Sequence, residues 1–309
     1  MSVANDVEHV AVVGTGLIGS SWAAYFLSKG LEVSAFDPAP DAESALRRAV
    51  ETAWPVLERL GTAPGASIDR LRFSPDIRTA LEGVQFVQES GPEREPIKIA
   101  LFADIDAALP REATIASSSS GLSISKLQSR CRFPERCVIG HPFNPPHMIP
   151  LVEVVGGART TAETVDSATA FYRSVGKWPI RLNKEVKGHV ANRLQAALWH
   201  EAVSLVADGV VNVADVDAAI AQGPGLRWAL MGPLLTLHLG GGSGGLRYWF
   251  ENISKLKPGD PVGRTVLSSE LVDLLVKGVE EEAAGRSIPE LVRERDEKLL
   301  ALFKAIGLS

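Results

Sequence analysis

Residues 9–37 read HVAVVGTGLIGSSWAAYFLSKGLEVSAFD, an apolar strand, a glycine-rich turn, a helix and a second strand ending on an acid. HVAVV is an apolar run of strand length that ends directly on Gly14. The run Gly14-Thr15-Gly16-Leu17-Ile18-Gly19 follows, then SSWAAYFLSK with helical spacing, closed by Gly30 as a C-cap. LEVSAF is a second strand, and Asp37 stands at its end, 18 residues after Gly19. In this strand–GxGxxG–helix–strand–acid order each glycine has a task. Gly14 makes the tight turn, Gly16 lets a pyrophosphate approach the backbone, and Gly19 lets the helix pack on the strand. Free N–H groups and the helix dipole favour an anion at the helix start, beside Gly16, Leu17 and Ile18. Asp37 is placed to accept ribose hydroxyls and repels the extra phosphate of NADP. The pattern therefore specifies an NAD site.

Working outward, strand and helix signals keep alternating. Residues 40–60 predict a helix interrupted or kinked at Pro55, and 61–65 a loop. Residues 81–90 (LEGVQFVQES) form a strand with a polar end, and 97–108 an amphipathic helix. ATIASSSSG, 113–121, is a strand opening into a serine-rich turn; 161–175 is helical and 177–183 the last strand. This alternation predicts an α/β fold, a Rossmann-type doubly wound parallel sheet with right-handed crossovers. Strand C-terminal ends line the ligand crevice of such a sheet, so a hydroxyl of the serine turn is placed to meet a substrate. From residue 187 onward only helical patterns remain. Among them, Ser287 and Glu290 form a capping box with Pro289 in the first turn. We set the boundary near 185, with residues 1–185 binding NAD and 186–309 an all-helical domain. The glycine run at 239–245 breaks the helices and is expected as a mobile loop beside the site.

Residues 141–153, HPFNPPHMIPLVE, carry the chemistry. The apolar run CVIG leads into them as a buried strand, and the prolines forbid a helix. Glu153 is a lone carboxylate among aliphatics, costly to bury unless paired. His141, at the end of the preceding strand, is its natural partner, and a carboxylate-oriented imidazole is a general base suited to neutral pH.

At 309 residues, 45% hydrophobic and 22% charged, the chain can bury the core of one large or two ordinary domains. A net charge of −5 gives no basic footprint for nucleic acid or an anionic membrane. The first residues carry no signal-peptide pattern, and no apolar segment approaches the roughly 20 residues of a membrane span. Cys131 and Cys137 fit neither a disulfide framework nor a metal site, and a reduced, cytoplasmic protein is expected. His147, His189, His200 and His238 lack metal-ligand spacing and read as structural or surface groups.

Taken together, these motifs resemble the short-chain L-3-hydroxyacyl-CoA dehydrogenase superfamily along almost the whole chain. The chain looks most like the branch of carnitine and L-gulonate 3-dehydrogenases, which act on free hydroxy acids. The resemblance implies a Rossmann domain followed by a helical substrate and dimerisation domain, and hence a homodimer. It puts the catalytic histidine on His141, its carboxylate partner on Glu153, the site serine on Ser120 and the helix-opening asparagine on Asn192 (in VANRL). The family's acid on the nicotinamide side falls on Glu93, with Lys98 in the following helix. On this reading His141 takes the proton of the 3-hydroxyl while hydride passes to the nicotinamide, and Ser120 and Asn192 hold the reacting oxygen. Asn192 has a rival role as a cap of its own helix.

Two features favour a free acid over a CoA thioester. No lysine lies between Lys29 and Lys98, where the CoA-using members place basic residues, although arginines there leave the point open. The stretch GPGLRWALMGP delivers Arg227, suited to bidentate binding of a carboxylate, and Trp228, which with Tyr248 and Trp249 is a candidate aromatic face for a quaternary ammonium. Other motifs divide between carnitine-like and gulonate-like. An L-3-hydroxyacyl-CoA dehydrogenase is the alternative. A non-catalytic NAD-binding structural protein is the second, and the intact set of Ser120, His141, Glu153 and Asn192 speaks against it.

Overall fold

The computed structural model describes residues 7–254, 256, 260–262 and 265–306. The chain forms two compact units, divided between Ala197 and Leu198. The first runs β1 (His9–Val13), α1 (Leu17–Ser28), β2 (Glu32–Phe36), α2 (Ala42–Leu60), β3 (Leu71–Ser74) and α3 (Ile77–Ala80). It continues with β4 (Phe86–Glu89), α4 (Glu95–Ala108), β5 (Thr114–Ser117) and α5 (Ile124–Leu127). Then come β6 (Cys137–Pro142), β7 (Leu151–Gly156), α6 (Ala162–Ser174) and β8 (Trp178–Arg181). The eight strands lie in the order β3-β2-β1-β4-β5-β6-β7-β8. The order reverses between β1 and β4, and the crevice at such a switch point is where an open α/β sheet binds its ligand.

Side-chain alternation sorts the strands onto two cores. In β1, Val10 and Val12 pack with Trp22 and Phe26 of α1, Leu46 and Val50 of α2, and Phe171 of α6. Ala11 and Val13 face the other way, towards Phe102 and Ile105 of α4 and Ile124 of α5. The same period fixes the polar pair. Cys137 and Ile139 of β6 belong to the second core, so His141, two residues on, takes that face. Val152 and Val154 of β7 pack in the first core, which leaves Glu153 on the His141 side. The register then sets His141 directly opposite Glu153.

Several expectations change. Pro55 lies inside α2 without ending it; it is exposed, as is Glu51, so the carbonyl that loses its N–H donor can turn to water. β3 and α3 fall in residues 66–80, to which the sequence reading assigns no element. The β6–β7 pair is antiparallel, because the proline-rich segment folds the chain back, while the other neighbours are parallel. The sheet is thus mostly parallel rather than wholly so. The helix expected from 187 starts at Ala191, since Gly188 and His189 turn left-handed at φ 78° and 47°.

Helix α7 (Ala191–Ala207) runs from the first unit into the second, which continues with α8 (Val213–Ala221), α9 (Pro224–Trp228), α10 (Pro233–Gly240) and α11 (Gly245–Tyr248). After a π-helical turn over Trp249–Ile253 come β9 (Pro261–Val262), β10 (Thr265–Val266), α12 (Ser269–Ala283) and α13 (Ile288–Ala305). The two-residue strands are a small departure from an all-helical half. Its core gathers Leu235, Leu239, Leu246, Phe250, Val276 and Val279. Ser287 and Glu290 form the expected capping box at the start of α13.

The glycine run is not a loose loop. Gly241 donates to the carbonyls of Leu237 and His238, and a Cβ on Gly241 would sit 1.8 Å from the Gly245 carbonyl oxygen. It is a tight turn between α10 and α11. No described helix is long and apolar enough to cross a membrane.

Candidate active site

The cofactor cradle is built from the glycines that the sequence singled out. Gly14 has φ +89°, and a Cβ there would lie 2.6 Å from the Gly91 nitrogen, so β1 and the end of β4 can approach only without a side chain. A Cβ on Gly19 would meet the Gly14 oxygen at 1.8 Å, whereas one on Gly16 would meet nothing within 4 Å. Gly16 therefore borders open space at the start of α1. That helix start has no side-chain cap and no acid in its first turn, which leaves its N–H groups available to an anion. Leu17 is exposed here. Asp37 closes the cradle, accepting from the Thr15 amide at 2.8 Å and the Ala39 amide at 3.0 Å. An open glycine, an uncapped helix start and a fixed carboxylate suit a dinucleotide carrying a free ribose diol.

Beside the cradle lies a cleft of about 400 Å³ lined by Ile18, Ser118, Ser120, His141, Asn192 and Gln195, with Pro142, Phe143 and Asn144 from the end of β6. His141 Nδ1 is 2.8 Å from Glu153 Oε2. Glu153 Oε1 accepts from the amides of Val190 at 2.8 Å and Ala191 at 3.0 Å, at the start of α7. Burial pushes the Glu153 carboxyl up, but the bonds from His141, Ala191 and Val190 outweigh it and leave its pKa below the usual carboxylate value. An ionised Glu153 fixes the proton of a neutral His141 on Nδ1, which leaves Nε2 as the basic nitrogen.

The four serines separate by their partners. Ser117 Oγ donates to Glu89 at 2.6 Å. Ser118 Oγ accepts from Gln88 and bonds to Ser90. Ser119 Oγ donates to Glu93 Oε1 at 2.6 Å. Ser120 alone of the four makes no side-chain hydrogen bond among the described residues, and it lines the cleft. Asn192 lies inside α7, and among the described residues its amide makes no side-chain hydrogen bond; it lines the cleft. Unsatisfied donors thus collect around His141, where a bound oxygen can use them.

Glu93 ties the serine turn to the start of α4, since Oε1 also accepts from the Gly121 amide at 2.9 Å. Lys98 is buried and bonded to both oxygens of Glu89, at 2.7 and 2.9 Å, with Glu93 Oε2 3.7 Å away. Arg227 and Trp228 end α9 in the second unit, both exposed. His238 accepts from the Leu246 amide within that unit. Cys131 and Cys137 are buried free thiols.

Gly140, next to His141, is a position that sequence reasoning missed. A Cβ there would lie 1.9 Å from the Tyr172 hydroxyl oxygen. That buried hydroxyl donates to Gln88 Oε1 at 2.6 Å, and Gln88 in turn donates to Ser118 Oγ and the Gly140 carbonyl. Gly140→Ala is expected to displace Tyr172 and cost about 1–3 kcal/mol, read from urea midpoints; an unchanged midpoint would contradict the packing.

Comparison with known proteins places both units in one family. The family model for the 3-hydroxyacyl-CoA dehydrogenase NAD binding domain matches residues 9–186, and that for the C-terminal domain matches residues 188–281. An L-carnitine dehydrogenase of Streptomyces griseus is 50% identical over 304 residues, spanning 98% of this chain and 91% of that protein. One of Bacillus cereus is 48% identical over 98% of this chain and 93% of its own length. Among solved structures, 5-formyl-3-hydroxy-2-methylpyridine 4-carboxylic acid 5-dehydrogenase, an NAD+ dependent dismutase, superposes with a TM-score of 0.76 at 32% identity, covering 97% of this chain and 99% of that one. The NAD-binding cradle, the His141–Glu153 pair and these matches over both units show that the chain belongs to the 3-hydroxyacyl-CoA dehydrogenase family of NAD-dependent oxidoreductases.

Proposed function

We propose that the protein oxidises the 3-hydroxyl of a small free L-3-hydroxy acid to the 3-keto acid, with L-carnitine the first substrate to test. The observation that carries this reading is a buried His141–Glu153 pair opening on a cleft whose Ser120 hydroxyl and Asn192 amide have no partner among the described residues. Gly14, Gly16, Leu17, Ile18, Gly19 and Asp37 hold NAD, and Glu93 lies on its nicotinamide side, held by the ammonium of Lys98. When bound, NAD supplies the acceptor for the hydride that leaves the carbinol carbon. His141 Nε2 removes the hydroxyl proton, and Glu153 stabilises the imidazolium that forms. Ser120 and Asn192 bond the oxygen as it becomes a carbonyl. Arg227 pairs with the substrate carboxylate and Trp228 with its quaternary ammonium.

The choice of a free acid follows the names of the relatives and the Arg227–Trp228 pair in α9. Residues 1–185 act as the NAD-binding domain and 186–309 as the substrate and dimerisation domain. We infer that the protein works as a cytoplasmic homodimer. The family resemblance, the exposed Leu194, Trp199 and Val203 along α7 and the two free thiols support this. The test is NAD reduction with L-carnitine, L-gulonate and L-3-hydroxybutyryl-CoA side by side. Turnover of L-carnitine well above the other two is expected; preference for the thioester would overturn the free-acid reading.

A further inference from the structure

Two imidazoles, not one, stand at the site. The His189 ring lies 4.8 Å from the His141 ring, tilted by 36°, and the residue is 4% exposed. Its Nε2 donates to the Ser119 carbonyl at 3.0 Å, and its Nδ1 is buried without a partner among the described residues. Its backbone is left-handed at φ 47°, a conformation costly for an L side chain and ordinarily left to glycine or asparagine. The next two amides, Val190 and Ala191, are those that hold Glu153. One side chain therefore touches the His141 ring and the serine turn, and its backbone sets the turn that orients Glu153.

The hydrogen bond to Ser119 fixes the proton of a neutral His189 on Nε2. A second proton, on Nδ1, would be a buried donor with no acceptor. Burial pushes its pKa down and a charged His141 pushes it further, while the Ser119 carbonyl, Glu153 and Glu93 oppose them; the net direction is downward. Of the two rings only His141 has a carboxylate partner, so the substrate proton stays on His141 rather than being shared.

We propose that His189 is a positioning residue that remains neutral, covers the His141 ring and pins the Ser119–Ser120 turn to the start of α7, so that Ser120 and His141 converge on one oxygen. This rests on His141 being the base. It is tested in the full-length protein with His189→Phe, which keeps a ring but removes the N–H donor, and His189→Gln, which restores a donor near Nε2. With a free 3-hydroxy acid, His189→Phe is expected to lower kcat about 10- to 100-fold, with KM and NAD affinity little changed and with partial recovery in His189→Gln. Wild-type kcat in His189→Phe would overturn the proposal, as would equal losses in both variants that follow thermal stability. Imidazole nitrogen NMR gives a reading independent of substrate. His189 is expected as the Nε2–H tautomer at about pH 7 to 8, and an imidazolium or an Nδ1–H tautomer there would contradict the proposal. Activity surviving in His141→Ala would instead refute the base assignment.

Discussion

Glu153→Gln is expected to lower kcat with a free 3-hydroxy acid by about 10²–10⁴-fold while NAD still binds. The size of the effect follows from where the two carboxylate oxygens point. Oε1 accepts from the Val190 and Ala191 amides, and a glutamine can satisfy them only with its own oxygen there. Its NH2 group must then face His141 Nδ1. That nitrogen becomes an acceptor, the imidazole proton moves to Nε2, and the base is blocked at the atom that must take the substrate proton. Geometry survives and the tautomer is wrong. A loss below about threefold would mean that Glu153 does not set the tautomer.

The same substitution has a pH signature. The folded pKa of Glu153 lies below its unfolded value. Its contribution to stability is therefore fully present above the unfolded carboxylate range and disappears as pH falls through the folded value. Glu153→Gln removes this term, so the stability gap between wild type and variant is expected to narrow from neutral pH to about pH 3. Urea midpoints across that range check it.

Lys98→Met is expected to destabilise the protein by about 3–5 kcal/mol. Lys98 is 1% exposed and Glu89 is fully buried, and the carboxylate also accepts from Ser117 Oγ and the Gly91 amide, both at 2.6 Å. Methionine fills the space of the lysine stem but leaves the carboxylate without its cation in a site that water does not reach. The double variant Glu89→Gln with Lys98→Met removes both charges and is expected to recover much of the loss. Denaturant unfolding of the three variants decides it, and a loss under about 1 kcal/mol in Lys98→Met would show that the pair is not desolvated as the structure has it.

What the sequence made legible depended on how local each signal was. Gly14, Gly16, Gly19 and Asp37 sit within one strand–helix–strand unit, and their spacing alone defines the cradle. His141 and Glu153 are twelve residues apart; the cost of burying a lone carboxylate pointed to the pair, and the family resemblance gave it its catalytic role. Ser120 could be told from its three neighbours only by resemblance, because what distinguishes it is the partners that Ser117, Ser118 and Ser119 find in β4 and at Glu93. β3 escaped because its four residues, LRFS, draw their strand state from pairing with β2 rather than from their own pattern. Pro55 misled because a proline on an exposed helix face costs less than one against the core. The glycine run at 239–245 looked loose, but its lack of side chains is what lets α10 and α11 turn so tightly. His189 read as one more structural histidine, since nothing in the sequence shows that its ring will lie on His141.

The role of His141 as the base is tested most directly by steady-state NAD reduction with L-carnitine by wild type and His141→Ala, with NAD binding measured on both. Wild type is expected to turn L-carnitine over, with kcat/KM at least about 10²-fold lower in the variant and NAD affinity unchanged. Equal turnover in the two proteins would contradict that role.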